Sequence, residues 1–147
     1  MTIMRFRAKA KSENSTKVVV EARGFKIIID EPEDLGGNNT GPNPVEYVLA
    51  ALSGCLNVVG HLVAKEMGFE LRGLEISLSG DLDPAKFSGE PTENRTGYTV
   101  VRATVNADTD ADRVILEKWL AAVEDRCPVS DNLAHVTPLE IVLGNQG

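Results

Sequence analysis

Cys55 and Cys127 are the residues of this chain whose side chains could carry covalent chemistry. A thiolate is a nucleophile and can be oxidised reversibly, so two thiols that meet form a redox couple. A single free cysteine is most often a small buried core residue. A pair in a reducing compartment points instead to a transient, catalytic pairing. Bridging them demands Cα atoms within about 7 Å, and spacing along the chain does not decide that. Charged neighbours would tune such a thiol. An arginine stabilises a thiolate and can orient a peroxide, and Arg23, at an expected hairpin turn, is the upstream candidate. Glu46 lies nine residues before Cys55, on roughly the opposite face of an ideal helix, which suits a capping acid as well as a catalytic one. Cys55, His61, Cys127 and His135 are also zinc-ligand types, but they lack the close paired spacing of structural zinc motifs, so no metal is expected.

The elements that must position these residues follow from hydropathic period. Met4 to Ala10 alternates with period two, as a strand does. Lys17–Ala22 and Phe25–Asp30 are β-branched runs separated by Arg23 and Gly24, which together read as a hairpin. Gly36 to Pro44 reads GGNNTGPNP, a loop feeding a helix. Asn43 is a suitable N-cap, Pro44 suits the first helical position, and Glu46 falls where a capping-box acid belongs. Val48, Leu52, Cys55, Val59 and Leu62 then make an inward stripe, with Gly68 stopping the helix after Met67. Leu74–Leu78 and Thr99–Val105 form a second expected hairpin, joined by a long polar loop from Asp81 to Gly97. Thr109 is an expected cap for a second long helix, whose stripe is Leu116, Leu120, Val123 and Cys127. Pro128 breaks that helix and opens a short turn to Ala134, which, if helical, makes Cys127 its N-cap. Leu139–Leu143 is the expected last strand.

This order is α+β, and the 147 residues suit one domain spanning 1–147. A net charge of −7 and a pI near 4.8 argue against nucleic acid or an anionic membrane as partner. Val45–Ala64 is long enough to cross a bilayer, but Glu46, Asn57 and His61 interrupt it, and a buried core helix fits better. Residues 1–10 lack the apolar run of a secretory signal, so a cytoplasmic location is expected. Without a phosphate loop or dinucleotide fingerprint, no cofactor is expected.

Three segments carry a family resemblance: GPNPVEYVLAALSGC at Gly41–Cys55, KEMGFELRGLEISLSGDLDP at Lys65–Pro84, and RCPVSDNL at Arg126–Leu133. With these, nearly the whole chain resembles the OsmC/Ohr proteins, named for osmotic induction and organic hydroperoxide resistance. The resemblance implies an intertwined homodimer in which antiparallel sheets wrap two long central helices, with active sites at the subunit interface. It further implies that Cys55 attacks an organic hydroperoxide and becomes a sulfenic acid, which Cys127 resolves as an intramolecular disulfide. A dithiol or a lipoylated protein then serves as reductant. Members of the family place a glutamate where this chain has Val45, one position before Glu46. They also carry an activating arginine that the loop Glu31–Pro44 lacks, which leaves Arg23 as substitute. A second reading is an OsmC-like dimer without peroxidase activity that binds a small apolar or thiol ligand in an interface pocket.

Overall fold

The computed structural model describes residues 2–144 and divides into two compact units, Met1–Ala50 and Ala51–Gly147. In the first unit, β1 (Lys9–Ser12), β2 (Val18–Ala22) and β3 (Phe25–Ile29) form an antiparallel sheet in that order. The β2–β3 hairpin closes with Ala22 opposite Phe25, which leaves Arg23 and Gly24 as a two-residue turn. Both have positive φ, 52° and 84°, the signature of the turn whose twist matches a hairpin. The first strand begins later than its period suggested. Residues 2–8 have no regular structure, and Ile3, Met4 and Phe6 stay in solvent because no strand pairs with them among the described residues.

The loop after β3 is organised by a buried charge. Asp30, 0% exposed, accepts hydrogen bonds from the Thr16 and Thr40 hydroxyls (2.8 and 2.6 Å) and from the Glu31 and Thr40 amides. A buried carboxylate is tolerable only with such a set of donors. They hold its pKa well below the usual carboxylate range, the Thr40 hydroxyl contributing most. The loop thereby delivers the chain to α1 (Pro44–Met67), whose start is as its sequence indicates. The Asn43 side chain accepts from the Glu46 amide, and the Glu46 carboxylate accepts from the Asn43 amide, at 2.9 and 3.0 Å. Gly68, at φ 78°, ends the helix in a Schellman motif, with the Phe69 and Gly68 amides bonded to Ala64 and Lys65.

In the second unit, β4 (Gly73–Asp81) and β5 (Val100–Asp108) pair antiparallel over nine residues each. Their inner residues, including Leu74, Ile76, Val101 and Val105, pack on a core from α1 and α2 (Arg113–Arg126). That core comprises Leu52, Leu56, Val59, Val63, Ala64, Trp119, Val123 and Cys127. Each large side chain withdrawn here contributes roughly 1.5–3 kcal/mol. The loop joining β4 to β5 is tied by Asp83, which accepts from the Ala85 amide and from the Thr92 and Asn94 side chains.

The structure corrects the sequence reading at several points. Leu62 and Leu120, assigned inward, are exposed; Gly60, Val63 and Trp119 take their places. The cause is the Trp119 indole, which donates to the Gly60 carbonyl at 2.8 Å and so turns the contact stripe. The cap of α2 is Asp112, not Thr109. The Thr109 hydroxyl is engaged elsewhere, donating to the Glu70 carbonyl. Besides the two long helices there is a third, α3 (Pro128–Ala134), where a turn was expected. Leu139–Leu143 is not a strand; with no neighbouring edge to bond among the described residues, its apolar side chains face solvent.

Candidate active site

Cys55 sits in the middle of α1, and Cys127 occupies the junction of α2 and α3. Proline at 128 disfavours the helical region for the residue before it, and Cys127 adopts φ −86°, ψ 109°. One residue thus closes α2 and caps α3: the Cys127 sulfur accepts from the Ser130 amide at 3.4 Å, and its carbonyl accepts from the Asp131 amide at 3.0 Å.

The break aims the Cys127 side chain at α1. Its thiol donates to the Cys55 sulfur, with the two Sγ atoms 3.0 Å apart. Both cysteines are free thiols. Cys127 is 1% exposed, whereas Cys55 keeps partial access to solvent. Burial pushes the Cys55 thiol up, the Cys127 thiol adds to this, and the Val129 amide, directed at the Cys55 sulfur, opposes it. In the reduced chain the neutral form of Cys55 is therefore favoured while its sulfur touches that of Cys127, and the sulfurs need to close by only about 1 Å to reach bonding distance.

Two further features frame the pair, and the sequence reading missed both. Arg126, just before Cys127, makes two bonds to the Glu66 carboxylate in the last turn of α1. This fork holds Glu66 below the usual carboxylate range and raises Arg126. Trp119 anchors α2 on Gly60, where an added Cβ would lie 2.9 Å from Leu74 and 3.1 Å from the indole. Opposite charges at the ends of two helices were the available signal for the fork. The lone tryptophan fell off the assumed stripe and gave none.

The other candidate residues lie as follows. Glu46 is in the capping box of α1. Arg23 is at the β2–β3 turn, its guanidinium 5.3 Å from the centre of the Phe25 ring. Both belong to the first unit. His61 bonds the Asn57 carbonyl within its own helix, and His135 faces Asp131 at 3.1 Å. Each histidine has a local partner rather than a place beside the cysteines.

An α+β fold with antiparallel sheets and two thiols in contact at a helix junction defines a two-cysteine thiol protein. The chain belongs to the OsmC-like protein family, whose model matches residues 36–142. The structure is similar to an OsmC-like protein from Mycoplasma pneumoniae (TM-score 0.79, 17% identity, covering 92% of this chain and 91% of that one). It is also similar to an organic hydroperoxide resistance protein OsmC from Legionella pneumophila (TM-score 0.67, 20% identity, 90% and 91% covered). A third similar structure, from Elizabethkingia anophelis, is an organic hydroperoxide resistance protein with thiocyanate bound (TM-score 0.64, 16% identity, 89% of each chain). At these identities the likeness establishes the fold. None of the curated proteins matches the sequence.

Proposed function

We propose that the protein is a thiol-dependent peroxidase that reduces organic hydroperoxides to alcohols. The observation that carries this reading is the 3.0 Å contact between Cys55 and Cys127. Cys55, the more accessible of the two, is the peroxidatic residue. Its thiolate attacks the terminal peroxide oxygen, the O–O bond breaks, and the alkoxide leaves as the alcohol with the proton the thiol gave up. Cys55 is then a sulfenic acid. The Cys127 thiol displaces its hydroxyl as water, and the disulfide forms. An external dithiol, such as a lipoylated protein, reduces the disulfide by exchange. The net reaction converts hydroperoxide and dithiol to alcohol, water and the oxidised dithiol.

Arg23 and Glu46, charged residues of the first unit, are the remaining members of the proposed set. The proposed protein is a single OsmC-like domain over residues 1–147 that works in the cytoplasm as a homodimer. Support for the dimer comes from the apolar side chains left in water at both ends of the described chain, Ile3, Met4 and Phe6 at one and Leu139, Ile141 and Leu143 at the other.

The test is mass spectrometry after one equivalent of cumene hydroperoxide. The expected product has lost two hydrogens and yields a Cys55–Cys127 peptide, while Arg23→Gln slows its formation. Two unreacted thiols would sink the proposal.

A further inference from the structure

Directional bonds tie α2 to α1 at both ends of the stretch that leads to Cys127. At one end the Trp119 indole donates to the Gly60 carbonyl. At the other the guanidinium of Arg126, the residue before Cys127, forks onto the Glu66 carboxylate in the last turn of α1. Between them Val123 packs into the core, a contact that is apolar and therefore non-directional.

Trp119 and Cys127 are eight positions apart, about 12 Å along α2. A swing of about 5° around the indole bond would carry the Cys127 end by about 1 Å. That is as much as separates the 3.0 Å thiol contact from a disulfide. One directional bond at Trp119 therefore leaves the sulfur separation open, and a second fixed point next to Cys127 sets it. A guanidinium–carboxylate fork suits this use, because two parallel bonds fix direction as well as distance. Glu66 gains nothing from its place in its own helix, since an acid in the last turn faces the negative end of the helix dipole.

We infer that Glu66 and Arg126 are positioning residues of the thiol pair, their fork holding the junction of α2 and α3 against α1 so that Cys127 stays within reach of Cys55 and the disulfide between them is favoured. This rests on the reading of the two cysteines as a redox couple and deepens it, whatever the oxidant. The Arg126 and Glu66 side chains are 41% and 50% exposed, so the fork is worth a factor of up to about five in an equilibrium.

The experiment equilibrates the full chain with mixtures of reduced and oxidised glutathione. Oxidised glutathione takes two electrons and two protons from Cys55 and Cys127; its S–S bond breaks, that of the chain forms, and two glutathione thiols are released. Mass spectrometry of acid-quenched samples gives the equilibrium constant. Glu66→Gln and Arg126→Gln are each expected to lower it by on the order of threefold, and the double variant by no more than either alone. The two single substitutions change the charge beside Cys127 in opposite directions, so a shared fall reports position. Constants that move in opposite directions report the field of the charges instead and overturn the inference, as do constants that stay at the wild-type value and losses that add in the double variant. A wild-type chain that forms the bond with glutathione but not with cumene hydroperoxide fails the peroxidase reading alone, and the fork variants then decide the inference as before. A wild-type chain that forms no bond with glutathione overturns both.

Discussion

Joining Cys55 to Cys127 will raise the stability of the protein by an amount the structure lets one estimate. The two sulfurs are 3.0 Å apart in the reduced chain, and the bond would close a loop of 72 residues. For a loop of that length, lost chain entropy in the unfolded state is worth about 4 kcal/mol at 25 °C. The native state loses little in exchange, because the required approach is about 1 Å and one partner sits at a helix junction rather than inside a helix. The assay is urea unfolding of the protein oxidised with one equivalent of diamide, against the same protein kept reduced, at one protein concentration. With a slope of about 2 kcal/mol per molar urea, the midpoint rises by about 2 M. Cys127→Ser abolishes the rise. A midpoint that moves by less than about 0.5 M, while mass analysis finds the intramolecular bond, would mean that forming it distorts the native fold by as much as it constrains the unfolded chain. The reasoning from proximity would then be wrong.

Three other outcomes are expected. Burial and the neighbouring thiol raise Cys55, so its rate of alkylation by iodoacetamide will keep climbing as pH rises past the ordinary thiol range. Since the raised group is the neutral form, its share of stability is full below the unfolded thiol pKa and is lost as pH rises through the folded value; a plateau in alkylation by neutral pH contradicts this. Asp30 has the opposite sign. Its carboxyl is depressed by Thr40 and its other donors, so its contribution is full above the ordinary carboxylate pKa and is lost as pH falls through the depressed value. Asp30→Asn should lower the thermal midpoint at neutral pH and flatten the midpoint-versus-pH curve below about pH 4, where a free carboxylate titrates; an unchanged slope refutes it. Gly60→Val puts methyls where even a Cβ meets Leu74 at 2.9 Å and should cost about 1–3 kcal/mol in urea unfolding. No loss would mean that α1 and α2 do not approach as closely as described.

The first turn of α1 was fully legible because a capping box is a local device: Asn43, Pro44 and Glu46 satisfy one another within four residues. The Arg23–Gly24 turn and the break at Pro128 were legible for the same reason, since positive φ and the proline ring act on the adjacent backbone. The edges of the chain were not. Residues 2–8 and 139–143 carry strand-like apolar content, but a strand exists only when another supplies its hydrogen bonds.

What the sequence determined by itself was the family, through three motifs, and the two residues able to do thiol chemistry. Only the tertiary structure brought Cys55 and Cys127, 72 positions apart, to 3.0 Å, because that contact depends on how α2 packs against α1. Trp119 decides that packing through its bond to the Gly60 carbonyl, an interaction across 59 residues that no local pattern encodes. The same packing withdrew Cys127 from solvent and left Cys55 partly open, and so distinguished two thiols that the sequence presents alike.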